Sequence, residues 1–466
     1  MPKSTSQYVC QNCGFVTPKW VGKCPSCGTW NSMVETVIST RTKRTVRSAQ
    51  GRKAELVQLT SIKKETHGQR TSTKITELDR VLGGGIVSGM VTLVAGEPGI
   101  GKSTLLLQLA SNVEGNVVYV AGEESATQIA NRAARLGIAN PNIQILEETD
   151  VDQIIETVSS DVWRVMGALE KKNSHTSPIT HHPSLLIIDS IQTLTTTDLT
   201  GIAGAVGQVR ESAGRLTAWA KRNSVPMFIV GHVTKEGTIA GPRVLEHMVD
   251  TVIWFEGERR EQLRIVRAMK NRFGPTDEVG IFSMEESGLK EVDNPSNLFL
   301  GPLSTQGSAG QSRPSGSVIT AIMEGTRPML VEIQALVAPT KLAFPRRTSS
   351  GIDQRRLELI IAVLGRRVGI PLWDYDIYVN VAGGLKIEEP GADLAVALAI
   401  ASAFKDKPLR VGTFAVGEVG LLGEIREVAQ TERRTKEAKR LGFSTPITAK
   451  DSSTLSQAVG KYLATG

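Results

Sequence analysis

The sequence is poor in aromatic residues and has no long apolar run. Aromatic side chains make up 5% and apolar residues 40% of the 466 residues, which is enough for real cores with few aromatic anchors. The most apolar stretch, 392–404, contains Asp393 and is shorter than the roughly 18 residues that a membrane helix needs. The first ten residues contain no apolar signal segment. We therefore expect no membrane association, a cytoplasmic location and, from the length, roughly three domains.

Positive charge is concentrated at the N-terminal end. The whole chain has 54 Lys and Arg against 47 Asp and Glu, a net charge of +7. Residues 1–74 hold 13 basic and 3 acidic residues, an excess of +10, so the remaining chain carries −3. Clustered Lys and Arg are typical of a contact with a polyanion, since binding to phosphates releases counterions. A solvated, flexible linker fits the same composition, and charge alone leaves both interpretations open.

All four cysteines of the chain lie within eighteen residues. They form two CxxC pairs, Cys10 with Cys13 and Cys24 with Cys27, separated by ten residues. Four thiolates at this spacing are typical of a tetrahedral Zn²⁺ site, and disulfides are disfavoured in the cytoplasm. The alternative is a redox pair of CxxC motifs, but no thioredoxin-like βαβ pattern surrounds them. The sequence predicts a C4 zinc ribbon over residues 1–35, which is so small that it needs the metal to fold.

Glycines and basic residues adjoin this predicted ribbon. Gly14 and Gly28 directly follow the two cysteine pairs, where a positive φ aims backbone amides at the sulfur atoms. Residues 36–60 are basic and lack helical periodicity, which predicts a linker. The cysteines themselves do not indicate what the ribbon contacts.

A glycine-rich loop follows a short β-rich run, MVTLVAG, and precedes an apolar helix pattern, LLLQLA. Strand, glycine loop and helix in this order form the context in which G-x4-G-K-[ST] binds phosphates. Backbone N–H groups surround the phosphates, Lys102 reaches the β and γ oxygens, and the Ser103 hydroxyl binds Mg²⁺. The residues predicted to bind ATP are Gly96, Glu97, Pro98, Gly99, Ile100, Gly101, Lys102, Ser103 and Thr104.

Two more apolar runs end in carboxylates. NVVYVAG is followed by Glu123 and Glu124, and SLLIIDS has Asp189 near its carboxyl end. Uninterrupted apolar runs of this length are typical of buried parallel strands. Asp189 is placed to hold Mg²⁺ through water, and one of the glutamates should polarise the attacking water. We favour Glu123, and Glu124 stays the near alternative or serves a helix N-terminus.

The next predicted strand, VPMFIVGH, ends at His232, which is placed either to sense the γ-phosphate or to bond within the core. Two connections, 195–208 and 234–243, are rich in Gly and Thr and lack packing residues, which predicts mobile loops. In a RecA-like ring such loops face the central channel, and flexible surface is the alternative. The candidates for phosphate contacts there are Arg210, Lys235 and Arg243.

Five segments together resemble one known family. Four of them are GEPGIGKST, AGEES, LLIIDSIQT and GHVTKEGTIAGPRVLEHMVD. The fifth, KNRFG, consists of Lys270, Asn271, Arg272, Phe273 and Gly274. In this order, with the four-cysteine ribbon ahead of them, they are similar to the bacterial DNA-recombination family RadA, also called Sms. The resemblance covers essentially the whole chain, and KNRFG is the family's diagnostic motif.

The KNRFG motif follows a predicted strand, LRIVRAM, and places Lys270 and Arg272 on one face of an extended chain. In ring ATPases a cation of one subunit often reaches the neighbour's γ-phosphate and stabilises transition-state charge. The resemblance implies this role for Lys270 and a part in ATP or DNA coupling for Arg272. A solvated pair of strand-end cations is the alternative.

A polar run, residues 171–184, interrupts the approach to the SLLIIDS strand and contains three of the six histidines. These are His175, His181 and His182. A metal site is one interpretation, but neighbouring histidines in a loop rich in Ser, Thr and Pro are usually solvated. We expect a peripheral insertion without chemistry.

A connector rich in Gly, Ser and Pro, residues 302–317, predicts a domain boundary near 305. The segment 305–466 resembles the Lon proteolytic fold, whose protease needs a Ser nucleophile and a Lys base. Aligned with that fold, the chain has Ala392 at the Ser position and Glu432 at the Lys position. We therefore expect a proteolytically inactive domain kept for ring assembly and DNA contact. Its candidate DNA-binding residues are Arg346 and Arg347.

The predicted fold class is α/β: a C4 zinc ribbon, a RecA-like P-loop ATPase core over 61–300 with a mainly parallel sheet, and an α+β Lon-like domain. The resemblance implies a homo-hexameric motor that hydrolyses ATP, moves along single-stranded DNA and promotes branch migration. It also implies single-stranded and branched DNA and the RecA recombinase as partners. The predicted cofactors are ATP, Mg²⁺ and Zn²⁺. The alternatives are an ATP-dependent protease, a protein-remodelling ATPase and a regulatory ATP-binding module.

Overall fold

A computed structural model describes most of the chain. The described residues are 5–10, 15–26, 28, 30, 32–38, 70–160, 182–199, 201–232, 244–257, 263–300 and 313–463. Several predicted features lie outside them: Cys13, Gly14, Cys27, Lys235, Arg243, the linker beyond residue 38, and residues 171–181 of the His-rich insertion. The chain divides into two compact units, Met1–Val292 and Asp293–Gly466.

The N-terminal part of the first unit is a three-stranded antiparallel sheet. Its strands are β1 (Thr5–Cys10), β2 (Val16–Thr17) and β3 (Met33–Ile38). β1 lies in the middle and pairs with both of the others. The small core of this ribbon consists of Cys10, Cys24 and Met33, with Tyr8 and Val21 packed against them.

A nine-stranded sheet forms the centre of the remaining part of the first unit. Its strands are β4 (Val91–Gly96), β5 (Val117–Ala121), β6 (Ile143–Leu146), β7 (Leu185–Asp189), β8 (Met227–His232), β9 (Thr251–Glu256), β10 (Leu263–Asn271), β11 (Val279–Glu285) and β12 (Gly288–Glu291). Their order is β12-β11-β10-β9-β4-β8-β7-β5-β6. The strands from β9 to β6 run parallel, and β10, β11 and β12 form an antiparallel extension.

Helices of the same unit connect these strands. They are α1 (Thr76–Leu82), α2 (Lys102–Asn112), α3 (Ala126–Arg135), α4 (Val151–Ser159), α5 (Val206–Asn223) and α6 (Val244–Met248).

The nine-stranded sheet has an apolar core on each face. Leu93 and Val94, adjacent in β4, belong to two different apolar cores, because neighbouring strand residues point to opposite faces. Both faces are therefore covered, which explains the uninterrupted apolar runs of the central strands. The predicted α/β class with a mainly parallel sheet is confirmed.

The second unit combines helices with a four-stranded sheet. Its helices are α7 (Ser296–Phe299), α8 (Gln354–Val363), α9 (Asp393–Lys405), α10 (Thr431–Arg440) and α11 (Leu455–Tyr462). Its sheet consists of β13 (Ser317–Glu324), β14 (Arg327–Pro339), β15 (Arg347–Ser350) and β16 (Tyr375–Val381), in the order β13-β14-β16-β15. Two small pairs complete it: β17 (Thr413–Ala415) with β20 (Thr445–Ile447), and β18 (Glu418–Val419) with β19 (Ile425–Arg426). Of the helices described in both units, none is long and apolar enough to cross a membrane.

The second unit begins before the predicted boundary near 305. The Ser296 hydroxyl of α7 accepts a hydrogen bond from the Leu330 amide of β14 at 3.0 Å. Phe299 is buried, and α7 packs against β14. These contacts tie the segment after Asp293 to the second sheet, so that segment belongs to the second unit.

A buried arginine connects three parts of the second unit. Arg434 of α10 is 2% exposed and forms a two-pronged ion pair with Glu389, at 2.6 and 2.5 Å. Its guanidinium also donates to the carbonyl oxygens of Ala321 in β13, at 2.7 Å, and Ala429, at 3.0 Å. Glu389 in turn accepts from the Met323 amide at 2.9 Å. The ion pair therefore joins α10, β13 and the segment that leads into α9.

We expect the Arg434→Ala substitution to lower the free energy of unfolding of the second unit by about 3–5 kcal/mol, because Glu389 loses its buried partner. Urea unfolding followed by circular dichroism measures the loss. Arg440→Ala is the matched control: its ion pair with Glu437 is more exposed, and such pairs contribute less than about 1 kcal/mol. Equal losses for the two variants would contradict a structural role for the buried pair.

Candidate nucleotide-binding site

The carboxyl ends of four parallel strands meet at one edge of the nine-stranded sheet. In register, Gly96 of β4 lies beside His232 of β8, and Ala121 of β5 lies beside Asp189 of β7. Glu123 follows β5 by two residues. The sequence predicts Glu123, Asp189 and His232 at the ends of three separate strands. The sheet brings these ends together with the glycine loop at one edge.

The glycine loop joins β4 directly to α2. Gly96 has a φ of +153°, and a Cβ atom there would stand 2.8 Å from the Cβ of Phe255, so only glycine fits this close approach. The ammonium group of Lys102, at the start of α2, donates to the carbonyl oxygens of Gly96 at 2.8 Å and Glu97 at 2.9 Å. Lys102 is therefore held against the inner side of the loop.

Lys102 is 3% exposed. Burial lowers its pKa to about 8, against the opposing effect of the nearby carboxylates of Asp189, Glu123 and Glu97. A buried ammonium group with little water around it interacts strongly with negative oxygens. Lys102 is therefore suited to bind the terminal phosphates of a nucleotide, as the sequence predicts.

Asp189, at the end of β7, is buried and accepts a hydrogen bond from the Tyr119 hydroxyl of the neighbouring strand β5. Burial first, and then the neighbouring Asp189 carboxylate, raise the pKa of Tyr119 well above its usual value. Ser103 lies in the first turn of α2. A carboxylate and a hydroxyl are oxygen ligands of the kind that Mg²⁺ prefers, so these residues fit the predicted magnesium site.

Glu123 is held by two side chains at the sheet edge. The Ser190 hydroxyl donates to its Oε1 atom at 2.5 Å, and His232 Nε2 lies 3.1 and 3.3 Å from its two oxygens. The hydrogen bond from His232, partly offset by burial, and then that from Ser190 keep the pKa of Glu123 below its usual value. Glu123 is therefore an oriented anion that can accept a hydrogen bond from water.

Glu124 occupies a different environment. Its carboxylate forms an ion pair with Arg132 of α3, and it directly precedes Ser125, whose hydroxyl caps that helix. Because Glu124 is paired along α3 while Glu123 contacts the strand ends, the geometry favours Glu123 for the water-polarising role. Glu124 matches the alternative interpretation, an acidic residue at a helix N-terminus.

The two cations of KNRFG lie close to each other around Asp250. Arg272 Nη1 donates to Asp250 Oδ1 at 3.2 Å, as does Lys221 at 2.8 Å. Lys270 donates to the carbonyl oxygens of Glu246 at 2.6 Å and Val249 at 2.8 Å, at the end of α6. Burial first, and then the adjacent Arg272, lower the pKa of Lys270. Two cations thus bond to one buried carboxylate, and Lys270 lies near enough to interact with it electrostatically.

This cluster lies at the edge of the sheet opposite the glycine loop. Lys270 pairs with Val252, which pairs with Leu93 of β4. Leu93 is three residues before Gly96, about 10 Å along a strand. The Arg272 amide bonds to the Asp250 carbonyl oxygen at 3.1 Å, ahead of the first residue of β9. Both cations therefore lie at the amino-terminal edge of β4 and β9, away from the phosphate loop of their own chain.

The other three KNRFG residues hold the motif in place. Asn271 donates to the carbonyl oxygen of Leu82 at 3.2 Å and accepts from the Phe273 amide at 2.9 Å. A Cβ at Gly274 would stand 2.9 Å from the Cα of Gly83, so the turn after β10 packs backbone to backbone against the end of α1. Asn271, Phe273 and Gly274 therefore position the two cations. Their hydrogen bonds given above go to α1 and to the motif itself.

The candidate DNA-binding residues are spread over both units. Arg210 is exposed on α5. Arg346 is exposed just before β15, where its amide donates to Asp376 at 2.7 Å, and Arg347 is partly buried as the first residue of that strand. Lys235 and Arg243 lie outside the described residues.

Three residues of the site were missed by sequence reasoning. Ser190 directly follows Asp189 and was detectable as a second polar residue at the same strand end. The sequence pattern predicts only that Tyr119 lies in a strand. Its hydroxyl contact with Asp189 joins positions far apart in the chain. Arg264 of β10 is buried and donates to the Ile100 carbonyl of the glycine loop at 3.1 Å. No local pattern marks it.

The ribbon carries the second candidate site. Cys10 and Cys24, one from each CxxC pair, are buried in the same small core, and the Cys10 thiol lies 3.2 Å from the Ser32 hydroxyl. Gly28 has the predicted positive φ, +72°, and its amide bonds to the Cys24 carbonyl oxygen at 2.9 Å. Two soft thiol ligands brought together across the ribbon fit Zn²⁺. The other two predicted ligands, Cys13 and Cys27, lie outside the described residues.

The structure places the two residues that the sequence aligned with the Lon nucleophile and base in different environments. Ala392 is 2% exposed at the start of α9, directly after Pro390 and Gly391, so no hydroxyl is present in that turn. Glu432 is exposed in the first turn of α10. The side chain that faces the turn is Arg434, whose Nη1 would stand 3.2 Å from a Cβ at Gly391.

We expect the Tyr119→Phe variant to need about ten times more Mg²⁺ for half-maximal ATP turnover, because the removal of a partner behind a metal ligand weakens metal binding. At saturating Mg²⁺ its turnover should return close to that of wild type. Tyr378→Phe, in β16 of the second unit, is the matched control. An unchanged Mg²⁺ requirement would mean that Tyr119 does not orient Asp189.

Comparisons with known protein families match all three predicted parts. A model described as the KaiC ATPase matches residues 71–285. A model described as a rubredoxin metal binding domain matches residues 8–35, and one described as subunit ChlI of Mg-chelatase matches residues 353–452. The first two ranges contain the glycine loop and the four cysteines, and the third contains α9 and α10.

Full-length relatives are similar over nearly the whole chain. The DNA repair protein RadA of Bacillus subtilis is 49% identical over 96% of this chain and 93% of its own length. The RadA proteins of Listeria monocytogenes and Halalkalibacterium halodurans are 47% and 45% identical, over 95% and 96% of this chain and 91% and 93% of their own lengths. With this identity, coverage and order of parts, the chain belongs to the RadA family of DNA repair proteins.

Proposed function

We propose that this RadA-family chain is a DNA-dependent ATPase that moves along single-stranded DNA and promotes branch migration during recombinational repair, assisting the RecA recombinase. The chain acts in a head-to-tail ring, which the resemblance to the family implies is a homo-hexamer. Its substrates are single-stranded and branched DNA, so its place is the cytoplasm, where bacterial DNA is located.

The observation that supports this proposal most is the separation of Lys270 and Arg272 from their own phosphate loop. Lys270 is directed to the end of α6, at the amino-terminal edge of the sheet. The glycine loop lies at the carboxyl edge. Cations that act on a γ-phosphate must contact it, so in this proposal they act on nucleotide bound to a neighbouring subunit. A ring of heterologous contacts provides that arrangement for every subunit.

Each residue at the carboxyl edge has a part in the proposed reaction. Lys102 would bind the β and γ oxygens of ATP, and Ser103 and Asp189 would hold Mg²⁺, which when bound would supply positive charge next to the phosphates. Glu123 orients the attacking water, and His232, in contact with Glu123, is placed to sense the γ-phosphate. Phosphoryl transfer depends mainly on positioning and charge stabilisation, so an oriented carboxylate with a lowered pKa is sufficient for this role.

The proposed DNA contacts come from the candidate cations of both units. Arg210 is exposed on α5, and Arg346 and Arg347 lie at β15; Lys235 and Arg243 complete the set. Arginine and lysine side chains bind phosphates without reading sequence, as a translocating motor requires.

An ATP-dependent protease is disfavoured, because Ala392 and Glu432 provide neither nucleophile nor base.

The Lys102→Ala substitution should abolish ATP hydrolysis, because the β and γ oxygens then lose their cation. The measurement is ATP turnover with and without single-stranded DNA, together with unwinding of a tailed duplex. We expect DNA to stimulate wild-type turnover and the duplex to be unwound, and both effects to be lost in the variant. Lys450→Ala removes an exposed lysine and should behave as wild type. Wild-type turnover that is indifferent to DNA would favour a protein-remodelling ATPase.

The Lys270→Ala and Glu123→Gln variants should each lose at least about 100-fold in turnover, as expected for a phosphate-contacting cation and a water-orienting residue. Mixed in equal amounts, they should recover about a quarter of wild-type turnover, because a quarter of head-to-tail contacts then pair an intact Lys270 with an intact Glu123. ATP turnover of subunits mixed and reassembled before assay measures the recovery.

The control for this mixing experiment is Lys102→Ala with Glu123→Gln. Both changes disable the same nucleotide site, so no combination of subunits restores one and no recovery is expected. If Lys270→Ala with Glu123→Gln recovers no more than this control, Lys270 acts within its own chain or contacts only DNA.

A further inference from the structure

The zinc ribbon presents two tryptophan side chains to solvent. Trp20 is 57% exposed and Trp30 is 69% exposed, although the whole chain has only six tryptophans. Both indoles border the same glycine: a Cβ at Gly22 would stand 3.5 Å from Cη2 of Trp20 and 3.9 Å from Cζ3 of Trp30. The two rings thus adjoin each other on one part of the ribbon surface. Exposed aromatic surface of this kind marks an interaction site.

Positive charge accompanies these two rings. The Lys23 ammonium group lies over the Trp30 ring, 5.6 Å from its centroid, and Lys23 pairs with Trp30 across the ribbon. Lys19, next to Trp20, is exposed. The chain around the ribbon is strongly basic, with 13 Lys and Arg against 3 Asp and Glu in residues 1–74. The partner of this surface should therefore be an anion with flat apolar groups.

We propose that Trp20 and Trp30 form a stacking platform for the bases of single-stranded DNA, with Lys19 and Lys23 contacting its phosphates. Proteins that bind single strands combine aromatic rings and cations, because every base has a face that stacks on an aromatic ring and every phosphate attracts a cation. In a duplex the bases are already stacked on one another, so the platform discriminates in favour of single strands. A neutral apolar protein segment would gain nothing from the two lysines.

This site extends the proposed function, since the ribbon then holds the same strand on which the ATPase acts. Stacking on aromatic rings is tolerant of sequence, as a contact with moving DNA must be. The zinc ligands Cys10 and Cys24 are buried beneath the surface, so the metal has a structural part and the exposed indoles make the contact.

The experiment compares two double variants of the full-length chain. In one, Trp20 and Trp30 are replaced by leucine, which keeps apolar area and removes the aromatic faces. In the other, both are replaced by phenylalanine, which keeps aromatic faces. Fluorescence anisotropy at fixed salt measures the binding of a labelled oligothymidylate and of an abasic strand of the same length. Fixed salt is essential because the phosphate contribution depends on it.

We expect the leucine variant to bind oligothymidylate at least about ten-fold more weakly than wild type, and the phenylalanine variant to stay within about three-fold. The abasic strand should bind wild type and the leucine variant equally, because it offers no bases to stack. Trp373→Leu, which removes a 65% exposed indole from the second unit, is the matched control and should bind as wild type does. Unchanged zinc content and ATP turnover without DNA establish that the variants are folded.

An unaltered affinity of the leucine variant for oligothymidylate would overturn the stacking platform, and so would an equal loss for the abasic strand. In either case the indoles would serve a protein partner or a structural purpose. Failure of the proposed function gives a different result, because wild-type turnover would then be indifferent to single-stranded DNA.

Discussion

The structure of the first unit depends on one constraint: a parallel sheet covered on both faces leaves little room for charged side chains except at the ends of its strands. Leu93 and Val94 of β4 each enter a different apolar core, so neither face of the strand is available for chemistry. Polar groups are therefore concentrated at the two edges. Lys102, Asp189 and Glu123 lie at the carboxyl edge, and the KNRFG cations lie at the amino-terminal edge. This separation is the reason for our proposal that one subunit binds the nucleotide and a neighbouring subunit provides Lys270 and Arg272.

Much of the site could be predicted because its residues directly follow apolar runs. The glycine loop, Glu123, Asp189 and His232 each end a run that reads as a buried strand, and parallel strands bring such ends together. Tyr119 and Arg264 could not be predicted, because each acts through a contact between distant positions. The attachment of the segment after Asp293 to the second sheet could not be predicted either, because the hydrogen bond between Ser296 and Leu330 joins distant positions of the chain. Local composition marks the connector and carries no information about such contacts.

In the second unit, the residues around Ala392 are held by ion pairs. Ala392 contributes no hydroxyl, and the charged groups near it are paired with one another. The buried Asp393 forms an ion pair with the partly exposed Arg356 and accepts a hydrogen bond from the Val419 amide at 3.2 Å, while Arg434 is paired with Glu389. These two ion pairs, each with one buried member, fix the relative positions of α8, α9 and α10. These charges are paired with one another and hold the three helices together.

The KNRFG cluster is connected to the phosphate loop through a single strand. Asp250 accepts hydrogen bonds from Arg272, at 3.2 Å, and Lys221, at 2.8 Å, and it also accepts one from the Val91 amide at 3.2 Å. Val91 is the first residue of β4, and Gly96, where the glycine loop begins, is the last. The six-residue strand β4 therefore contacts the KNRFG cluster at its first residue and leads into the glycine loop at its last. In our proposal the cluster contacts the nucleotide of a neighbouring subunit, and the loop binds the nucleotide of its own subunit. Because β4 is hydrogen-bonded to β8 and β9 on its two sides, it cannot bend independently of the sheet. The two half-sites of one chain are thus held at a fixed separation, as a ring requires if every subunit is to present the same geometry to both neighbours.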